Sequence, residues 1–446
     1  MEPREYIRMA EPPRRKFVTR KSAAPAPVGP VAVFRNLTQV TRNIIKFRVA
    51  PTDVAYANAL RRVVLTEVET VAFRSEILED GTTSGIKILK NSTPMSNEML
   101  AHRIGLIPIH VANPLEWNSE SHTFKLNIVN DSPDSIDVVA SDMQVLRVRE
   151  PGDEPVPVPS VEFFHPDPHS NQTALLAVLK GHVATQDPEV LSFEATATLG
   201  TGRENAQFIP VSQCSYTYTP DTNPERIREH FEAWLSSHKK ISPEELAQNP
   251  NKKGELEREF KTMEIARCFV INEQGEPNSF DFVMESVGVL DPIYIVARAI
   301  QVLQEKAIFY ASVDTGDLPL NVQIRPADAK MKGFDFVFQG EDHTLGNILQ
   351  TWMDANLVDT NEITYVGYKV PHPLKDEMVL RIGVEDGKEH TARTALMKAT
   401  RGLASLFKSW GADWAAVGGT AAGPPRQSSV RQALQVRSSR HAQPGF

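Results

Sequence analysis

The chain has 446 residues, of which 41% are hydrophobic and 23% charged, and its formal net charge is −8. This length supports two or three domains with their own cores, and the acidic excess excludes a chain that binds polyanions over its whole surface. The two cysteines, Cys214 and Cys268, form no Cys-x-x-Cys motif, which excludes a disulfide framework and a cysteine-based zinc or iron–sulfur site. No apolar run reaches the roughly 18 residues of a membrane span, and we expect an intracellular protein.

Both ends of the chain have the composition of disordered tails. Residues 1–30 are rich in proline, alanine and basic residues, and residues 418–446 are rich in glycine, alanine, serine and arginine. Neither stretch shows an apolar period, so neither is expected to form a packed core. The short basic cluster from Arg14 to Lys16 suits either a nuclear-import signal or an ordinary solvated tail.

The first predicted domain opens with strands at 31–40 and 44–49. Asp53 or Thr52 then supplies an N-cap, and a helix follows. A second helix begins after Ser96. The first helix carries an apolar stripe at helical spacing, namely Val54, Ala57, Leu60, Val64 and Val68.

Between residues 116 and 263 the sequence changes character. Short alternating stretches, such as 124–128 and 193–199, are separated by pieces rich in proline, aspartate and serine. This pattern predicts an inserted antiparallel β domain. A long helix is predicted beyond it, from Asp291 to about Tyr310.

The second predicted domain follows a turn-rich linker that includes Asp314 and Asp317. A strand at 334–338 precedes a helix with apolar residues at i, i+3, i+4 and i+7. Further strands and a final helix complete it. The apolar residues of the two helices are Leu345, Ile348, Leu349 and Trp352, then Leu396, Ala399, Leu403, Leu406 and Trp410.

The two domains share a repeated pattern. Asp53 is followed by Asn58 and Leu60, and Asp342 is followed at the same spacing by Asn347 and Leu349, with a constant offset of 289 (342 − 53 = 347 − 58). Each copy follows a strand-like run and begins a helix. Two related half-units in one polypeptide indicate a pseudo-symmetric pair packed within the chain. The pattern favours an assembly protein over a catalyst.

Several blocks of the first domain carry a resemblance to a known family. Residues 58–62 read Asn-Ala-Leu-Arg-Arg, residues 91–109 contain Ala-His-Arg-Ile-Gly-Leu-Ile-Pro, and residues 200–208 contain Glu-Asn-Ala-Gln-Phe. With residues 282–288 before a long helix, these blocks resemble the third-largest subunit of eukaryotic RNA polymerase, a relative of the bacterial alpha subunit. Asn205 stands where that family usually has histidine.

The second domain resembles a different member of the family. Residues 341–347, Glu-Asp-His-Thr-Leu-Gly-Asn, and residues 366–374, Val-Gly-Tyr-Lys-Val-Pro-His-Pro-Leu, are similar to the small alpha-like subunit. These two subunits are separate chains in cellular enzymes. Their fusion is similar to that in polymerases of some large cytoplasmic DNA viruses, which implies such a source. It also implies action in the host cytoplasm (a viral factory) or nucleus, or packaging in the virion.

The resemblance implies an α+β fold in which two alpha-like dimerisation domains form an intrachain pseudodimer. It assigns residues 31–115 and 264–325 to the first domain, 116–263 to a β-rich insert within it, and 326–417 to the second. Eukaryotic relatives often carry a cysteine zinc loop in the insert, and some archaeal ones carry an iron–sulfur module. Residues 116–263 hold one cysteine, so neither site transfers. The sequence leaves open whether the domains pair within one chain or swap between two.

The resemblance further implies two interfaces and no catalytic, metal or cofactor site. Partners are expected to be the second-largest and largest polymerase subunits and small accessory subunits; DNA is reached only through the complex, with no membrane and no small-molecule substrate. Arginine suits a partner surface because its planar fork pairs with carboxylates and carbonyls. The dimerisation residues are Asn58, Leu60, Val64, Leu345, Asn347, Ile348, Leu349 and Trp352. Those facing the second-largest subunit are Arg61, Arg62, His102 and Arg103.

Other readings of these residues are structural. Glu98 and His102 lie one helical turn apart but lack a second histidine or a nucleophile. Prolines between His165 and His169 oppose a helical metal pair. Two rival functions remain. One is a free-standing DNA-binding or architectural dimer that uses the basic tails, and salt-dependent binding of duplex DNA by the chain alone would favour it. The other is an enzyme with an unrecognised site.

Overall fold

The computed structural model describes residues 32–78, 83–148, 153–167, 169–183, 186–241, 250–312, 318–328, 331–358 and 360–418. The predicted N-terminal tail with its basic cluster, the C-terminal tail beyond Gly418 and the turn that contains Asp314 and Asp317 lie outside these residues.

Most of the described helices begin after a residue that suits an N-cap. Ser96 accepts a hydrogen bond from the Met99 backbone NH, and Asp291 accepts from Ile293 and Tyr294, which satisfies amides that have no partner inside the helix. No helix in the described part of the chain is long and apolar enough to span a membrane. In chain order these helices are α1 (Val54–Thr66), α2 (Asn97–Gly105), α3 (Pro224–Trp234), α4 (Pro250–Glu259), α5 (Pro292–Phe309), α6 (His343–Met353) and α7 (Glu389–Gly418).

The strands show the alternation expected of sheets with one buried face. In the strand Phe280–Ser286, for example, every second residue is buried. In chain order the strands are β1 (Phe34–Gln39), β2 (Ile44–Val49), β3 (Glu69–Phe73), β4 (Ile86–Asn91), β5 (His122–Asn130), β6 (Ile136–Val139), β7 (Gln144–Arg147), β8 (Val156–Val158), β9 (Leu175–Leu179), β10 (Glu189–Ala195), β11 (Ala197–Thr201), β12 (Val211–Tyr218), β13 (Phe280–Ser286), β14 (Val322–Pro326), β15 (Gly333–Gln339), β16 (Tyr365–Lys369) and β17 (Glu377–Gly383).

Two four-stranded antiparallel sheets have the same topology. The strand order is β1-β2-β13-β12 in the first and β14-β15-β17-β16 in the second. In each unit a helix follows the second strand (α1 or α6), and another follows the last strand in sequence (α5 or α7). Phe47 of β2 pairs with Phe282, and Phe336 of β15, 289 positions later, pairs with Leu380. The repeat seen in the sequence is therefore a repeat of structure, and the predicted α+β class is confirmed.

The first unit differs from the second in two long insertions. The connection from α1 to β12 occupies residues 67–210, whereas its counterpart from α6 to β16 occupies 354–364. The connection from β12 to β13, 219–279, includes α3 and α4, which enclose a small core of their own. The inserted β region contains a five-stranded sheet, β4-β10-β5-β7-β8, and two smaller ladders, β11-β3 and β6-β9.

Some strands pair across the domain boundaries suggested by the sequence. The edge strand β12 lies in the range 116–263 but pairs with β13 of the first sheet. In the other direction, β4 precedes residue 116 but pairs with β10 of the insert. The strand β14 begins before residue 326, the predicted start of the second domain, and pairs with β15 of the second unit.

One hydrophobic core joins the two units. It contains buried residues from both four-stranded sheets and from α1, α5, α6 and α7. The helix α5 packs on α7, α1 packs on α5 and α6, and α6 packs on α7. A second core lies within the insert and includes the buried face of α2. The two alpha-like units thus form a pseudodimer within one chain.

Candidate functional site

The helix face shared by the two units is called the seam here; it is formed by α1 and α5 on one side and by α6 and α7 on the other. Five of the predicted dimerisation residues lie in the common core and are at most 1% exposed. Burial of such side chains stabilises a fold by about 25 cal/mol per Å² of apolar surface. These five residues are Leu60, Val64, Leu345, Ile348 and Leu349.

The other three predicted dimerisation residues, Asn58, Asn347 and Trp352, are half-buried. The Trp352 ring lies directly over Gly402 of α7. A β-carbon added at Gly402 would come within 2.2 Å of Cζ2 of that ring. The missing side chain at this position therefore allows α6 and α7 to approach each other closely.

An ion pair crosses the seam between α1 and the start of α6. Arg62 donates from Nη2 to Oδ2 of Asp342 at 2.7 Å and from Nε to Oγ1 of Thr344 at 2.7 Å. Asp342 is also the N-cap of α6, because its Oδ1 accepts from the Thr344 backbone NH at 2.7 Å. Burial alone raises the pKa of the Asp342 carboxyl, but the hydrogen bonds from Thr344 and the charges of Arg62 and Arg203 outweigh burial and lower this pKa to about 2.

A buried lysine lies close to this ion pair. Lys306 of α5 donates from Nζ to Glu67 at 2.8 Å and to Glu341 at 3.1 Å, and the Tyr310 hydroxyl donates to Glu341 at 3.2 Å. Burial by itself lowers the pKa of the Lys306 ammonium, but the facing carboxylates of Glu341 and Glu67 outweigh burial and raise it. The ammonium is therefore charged at neutral pH, and it links the first unit to the second.

Two further arginines, Arg298 buried and Arg203 half-buried, extend this network. Arg298 of α5 binds Glu69 in bidentate fashion at 2.8 and 2.9 Å. Arg203, in the loop after β11, reaches Asp376 of the second unit at 2.7 Å. The insert is thereby tied to the second unit as well as to the first.

Sequence reasoning did not find this ionic network. Its partners are far apart in the chain, and no local spacing relates them. One signal was present in the repeat itself: at the offset of 289, Glu341 of the second copy corresponds to Thr52 of the first. An acidic residue that replaces a neutral one beside a shared N-cap marks a position at which the two copies have diverged.

Arg61 lies away from the seam, beside the edge strand β12. Its Nε donates to Oδ1 of Asn58 at 3.0 Å. The two residues line an open groove of about 760 Å³ together with Cys214, Tyr216 and Tyr218 of the strand. Burial raises the pKa of the Cys214 thiol to about 12, so this thiol remains protonated and unreactive at neutral pH.

His102 and Arg103 occupy a separate surface. Both side chains are exposed in the last turn of α2, while Leu100 and Ile104 of that helix enter the core of the insert. Arg103 donates from Nε to the Leu175 backbone oxygen at 3.0 Å. The structure therefore brings Arg62 to the seam, places Arg61 at the groove away from the seam, and sets His102 and Arg103 on the insert.

One histidine of the His165/His169 pair has an aromatic neighbour: His165 stacks on His110, with ring centroids 3.8 Å apart. His343, at the start of α6, lies edge-on to Tyr368 at 5.7 Å. In the described part of the chain, no three His, Cys, Asp or Glu side chains are grouped so as to hold a metal ion.

Comparison with known proteins identifies both units. The family described as the RNA polymerase Rpb3/Rpb11 dimerisation domain matches residues 46–307, and a second family with the same description matches residues 334–411. The first match alone spans more than half of the chain.

Similar proteins include polymerase subunits from eukaryotes and archaea. The chain is 25% identical over 290 residues to DNA-directed RNA polymerase II subunit RPB3 of Schizosaccharomyces pombe, covering 60% of this chain and 83% of that protein. It is 26% identical over 305 residues to the DNA-directed RNA polymerases I and III subunit RPAC1 of Bos taurus, covering 61% and 81%. It is 25% identical over 281 residues to the DNA-directed RNA polymerase subunit Rpo3 of Methanothermobacter thermautotrophicus, covering 61% and 95%. The chain therefore belongs to the RNA polymerase Rpb3/Rpb11 dimerisation domain family.

Proposed function

We propose that this protein is a noncatalytic assembly subunit of a multisubunit DNA-directed RNA polymerase, in which the paired units recruit the second-largest catalytic subunit. The observation that carries the proposal is the seam: two units of one family pack over a common core in one chain. Such a pair presents a rigid, preassembled platform to larger partners. The largest subunit and small accessory subunits then join it, and DNA is reached only through the complex.

Two surfaces are proposed to receive the second-largest subunit. The first is the groove beside β12, where Arg61 is half-buried and held by Asn58. The second is the exposed end of α2 with His102 and Arg103. Arg62 is proposed to contribute from the seam, because about a third of its side chain remains exposed beside Asp342. The guanidinium groups of these arginines suit acidic side chains or backbone carbonyls.

The chain is further proposed to be a fusion of the two alpha-like subunit types, with a large DNA virus as its source. Support comes from the two family matches in one polypeptide and from the shared sheet topology of the units. A tether raises the effective concentration of one unit for the other to about millimolar when the linker is short. Assembly then requires one encounter fewer than in an enzyme with separate subunits.

Affinity purification of the full chain from its native source tests the proposal. Mass spectrometry of co-eluting proteins is expected to find the two largest polymerase subunits. Recovery of the chain without them would overturn it, and salt-dependent binding of duplex DNA by the chain alone would favour the rival DNA-binding function.

A charge-reversal variant tests the proposed surface. Arg61→Glu is expected to reduce capture of the second-largest subunit about tenfold or more, because an acidic side chain at the groove opposes acidic partners. Arg401→Glu, which changes an exposed arginine on α7, is the matched control and is expected to capture it normally. Equal capture by both variants would exclude the groove from this interface.

A further inference from the structure

The two ends of the seam carry different chemistry. At one end, here called the polar end, Arg62 and Lys306 of the first unit face Asp342 and Glu341 of the second. The offset of 289 relates Arg62 to Thr351 (62 + 289) and Glu341 to Thr52 (341 − 289). Asp342 does have a charged counterpart, Asp53 (342 − 289), but Arg62 and Glu341 do not.

The lysine is not repeated either. The helices α5 and α7 begin at 292 and 389, an offset of 97, and the register of the two sheets gives an offset of 98 (380 − 282). Lys306 therefore corresponds to Leu403 or Ala404, and both are apolar. The equivalent region instead holds an aromatic cluster that joins the units: Phe34, Phe47, Tyr56, Phe407, Trp410 and Trp414.

A pair of two second units would lose both cationic partners. Each Glu341 would face an apolar residue of α7 instead of Lys306, and each Asp342 would face Thr351 instead of Arg62. A buried charge without a partner is strongly destabilising, and this symmetric pair would contain the mismatch twice.

A pair of two first units would be affected less. Each Lys306 would face Thr52 instead of Glu341 but would keep Glu67 of its own unit, and each Arg62 would face Asp53. Such a pair is opposed indirectly, because it leaves two second units with only each other as partners.

We propose that the Lys306–Glu341 pair, with Arg62 and Asp342 beside it, makes the seam selective for one first unit against one second unit. The seam then directly rejects contacts between the second units of two chains, which compete with correct pairing when many chains fold together. The shared apolar helix faces supply the attraction between any two units, and the polar end supplies the discrimination. This inference builds on the proposed function only in treating the seam as the interface that forms during assembly.

The test uses full-length chains. Unlabelled and ¹⁵N-labelled protein are unfolded together and refolded near the roughly millimolar effective concentration of a tethered partner. Cross-linking and mass spectrometry then identify contacts between chains by their mixed labels. Wild type is expected to give first-to-second contacts only, within one chain or swapped between two. The variant Lys306→Met/Glu341→Gln, whose polar end carries neither charge of the buried pair, is expected to give first-to-first and second-to-second contacts at several times the wild-type yield.

Two further variants complete the test. Lys125→Met/Glu194→Gln removes a lysine–glutamate pair of 2.6 Å within the insert and is expected to behave as wild type. Lys306→Gln/Glu341→Gln keeps hydrogen-bonding groups at the seam, so it serves if the methionine variant does not refold. Like-unit contacts that are no more frequent in the seam variants than in wild type would overturn the proposal. No other polymerase subunit is present, so this outcome is independent of whether the second-largest subunit binds.

Discussion

Arg62 of α1 donates to Asp342 at 2.7 Å, although the two residues are 280 positions apart. The same carboxylate caps α6 through the Thr344 backbone NH. One side chain therefore starts a helix in the second unit and binds the first unit across the seam. The contribution of Asp342 to stability depends on the charge of its carboxylate, so this contribution can be measured by changing the pH.

Asp342→Asn is expected to lose a pH-dependent part of the stability. The folded-state pKa of about 2 lies below the ordinary value of 3.8, so the carboxylate stabilises the fold above pH 4, and this contribution is lost as the pH falls towards 2. We expect wild type to be more stable than the variant by about 1–2 kcal/mol at pH 5, a value reduced for solvent screening, with the difference approaching zero near pH 2. Urea unfolding at stepped pH measures this. Asparagine also caps helices, so a difference that did not change with pH would show that the charge contributes nothing.

Lys306→Met is expected to be strongly destabilising. The ammonium is buried between Glu67 and Glu341, and removal of one partner of a buried ion pair costs about 3–5 kcal/mol. The double variant Lys306→Met/Glu341→Gln is expected to lose less than the single variant, because the second change removes a carboxylate left without its ammonium. Denaturant unfolding of the four proteins in this cycle gives the coupling free energy. Additive single changes would contradict the direct interaction.

Leu349→Ala tests the apolar part of the seam. Leu349 is fully buried in the core that joins the units, and truncation of such a leucine costs about 2–5 kcal/mol. Leu374→Ala, at a position that is 88% exposed, is the control and is expected to change the free energy of unfolding by no more than about 0.5 kcal/mol. Equal effects of the two truncations on denaturant unfolding would refute the assignment of Leu349 to the core.

Much of the repeated architecture was accessible from local sequence patterns. The Asp-to-Asn-to-Leu spacing around Asp53 and Asp342 predicted α1 and α6, because an N-cap and an apolar stripe are encoded within about a dozen neighbouring residues. The apolar face of α5 was predicted for the same reason. The predicted dimerisation residues were assigned through the family resemblance, and their role in assembly remains a prediction.

The parts that local patterns did not indicate depend on distant pairings. The edge strand β12 joins the first sheet only because Tyr216 pairs with Phe282 across the long 219–279 connection. The exchange of a strand between the first unit and the insert likewise depends on β4 pairing with β10. Alternation shows that a segment is a strand but does not name its neighbour. The ionic network was missed because the sequence of α5 alone does not show that Lys306 is buried; a lysine near the end of a helix is usually solvated.

Gly402→Ala is expected to destabilise the protein even though alanine is the better helix former. In an open helix position this change gains about 1 kcal/mol. At Gly402 the added methyl would meet Cζ2 of Trp352 at 2.2 Å and Cε2 at 2.3 Å, so the ring or the helix must move, which costs about 1–3 kcal/mol.

Gly254→Ala is the matched control for this change, because no atom lies within 4 Å of the added carbon in α4. It is expected to leave the stability unchanged or raise it by up to about 1 kcal/mol. Denaturant unfolding followed by tryptophan fluorescence measures both variants. Addition of Trp352→Phe to Gly402→Ala is expected to restore part of the loss, because the smaller ring relieves the overlap. Stabilisation by Gly402→Ala alone would show that the close approach of α6 and α7 does not depend on the absence of a side chain at this position.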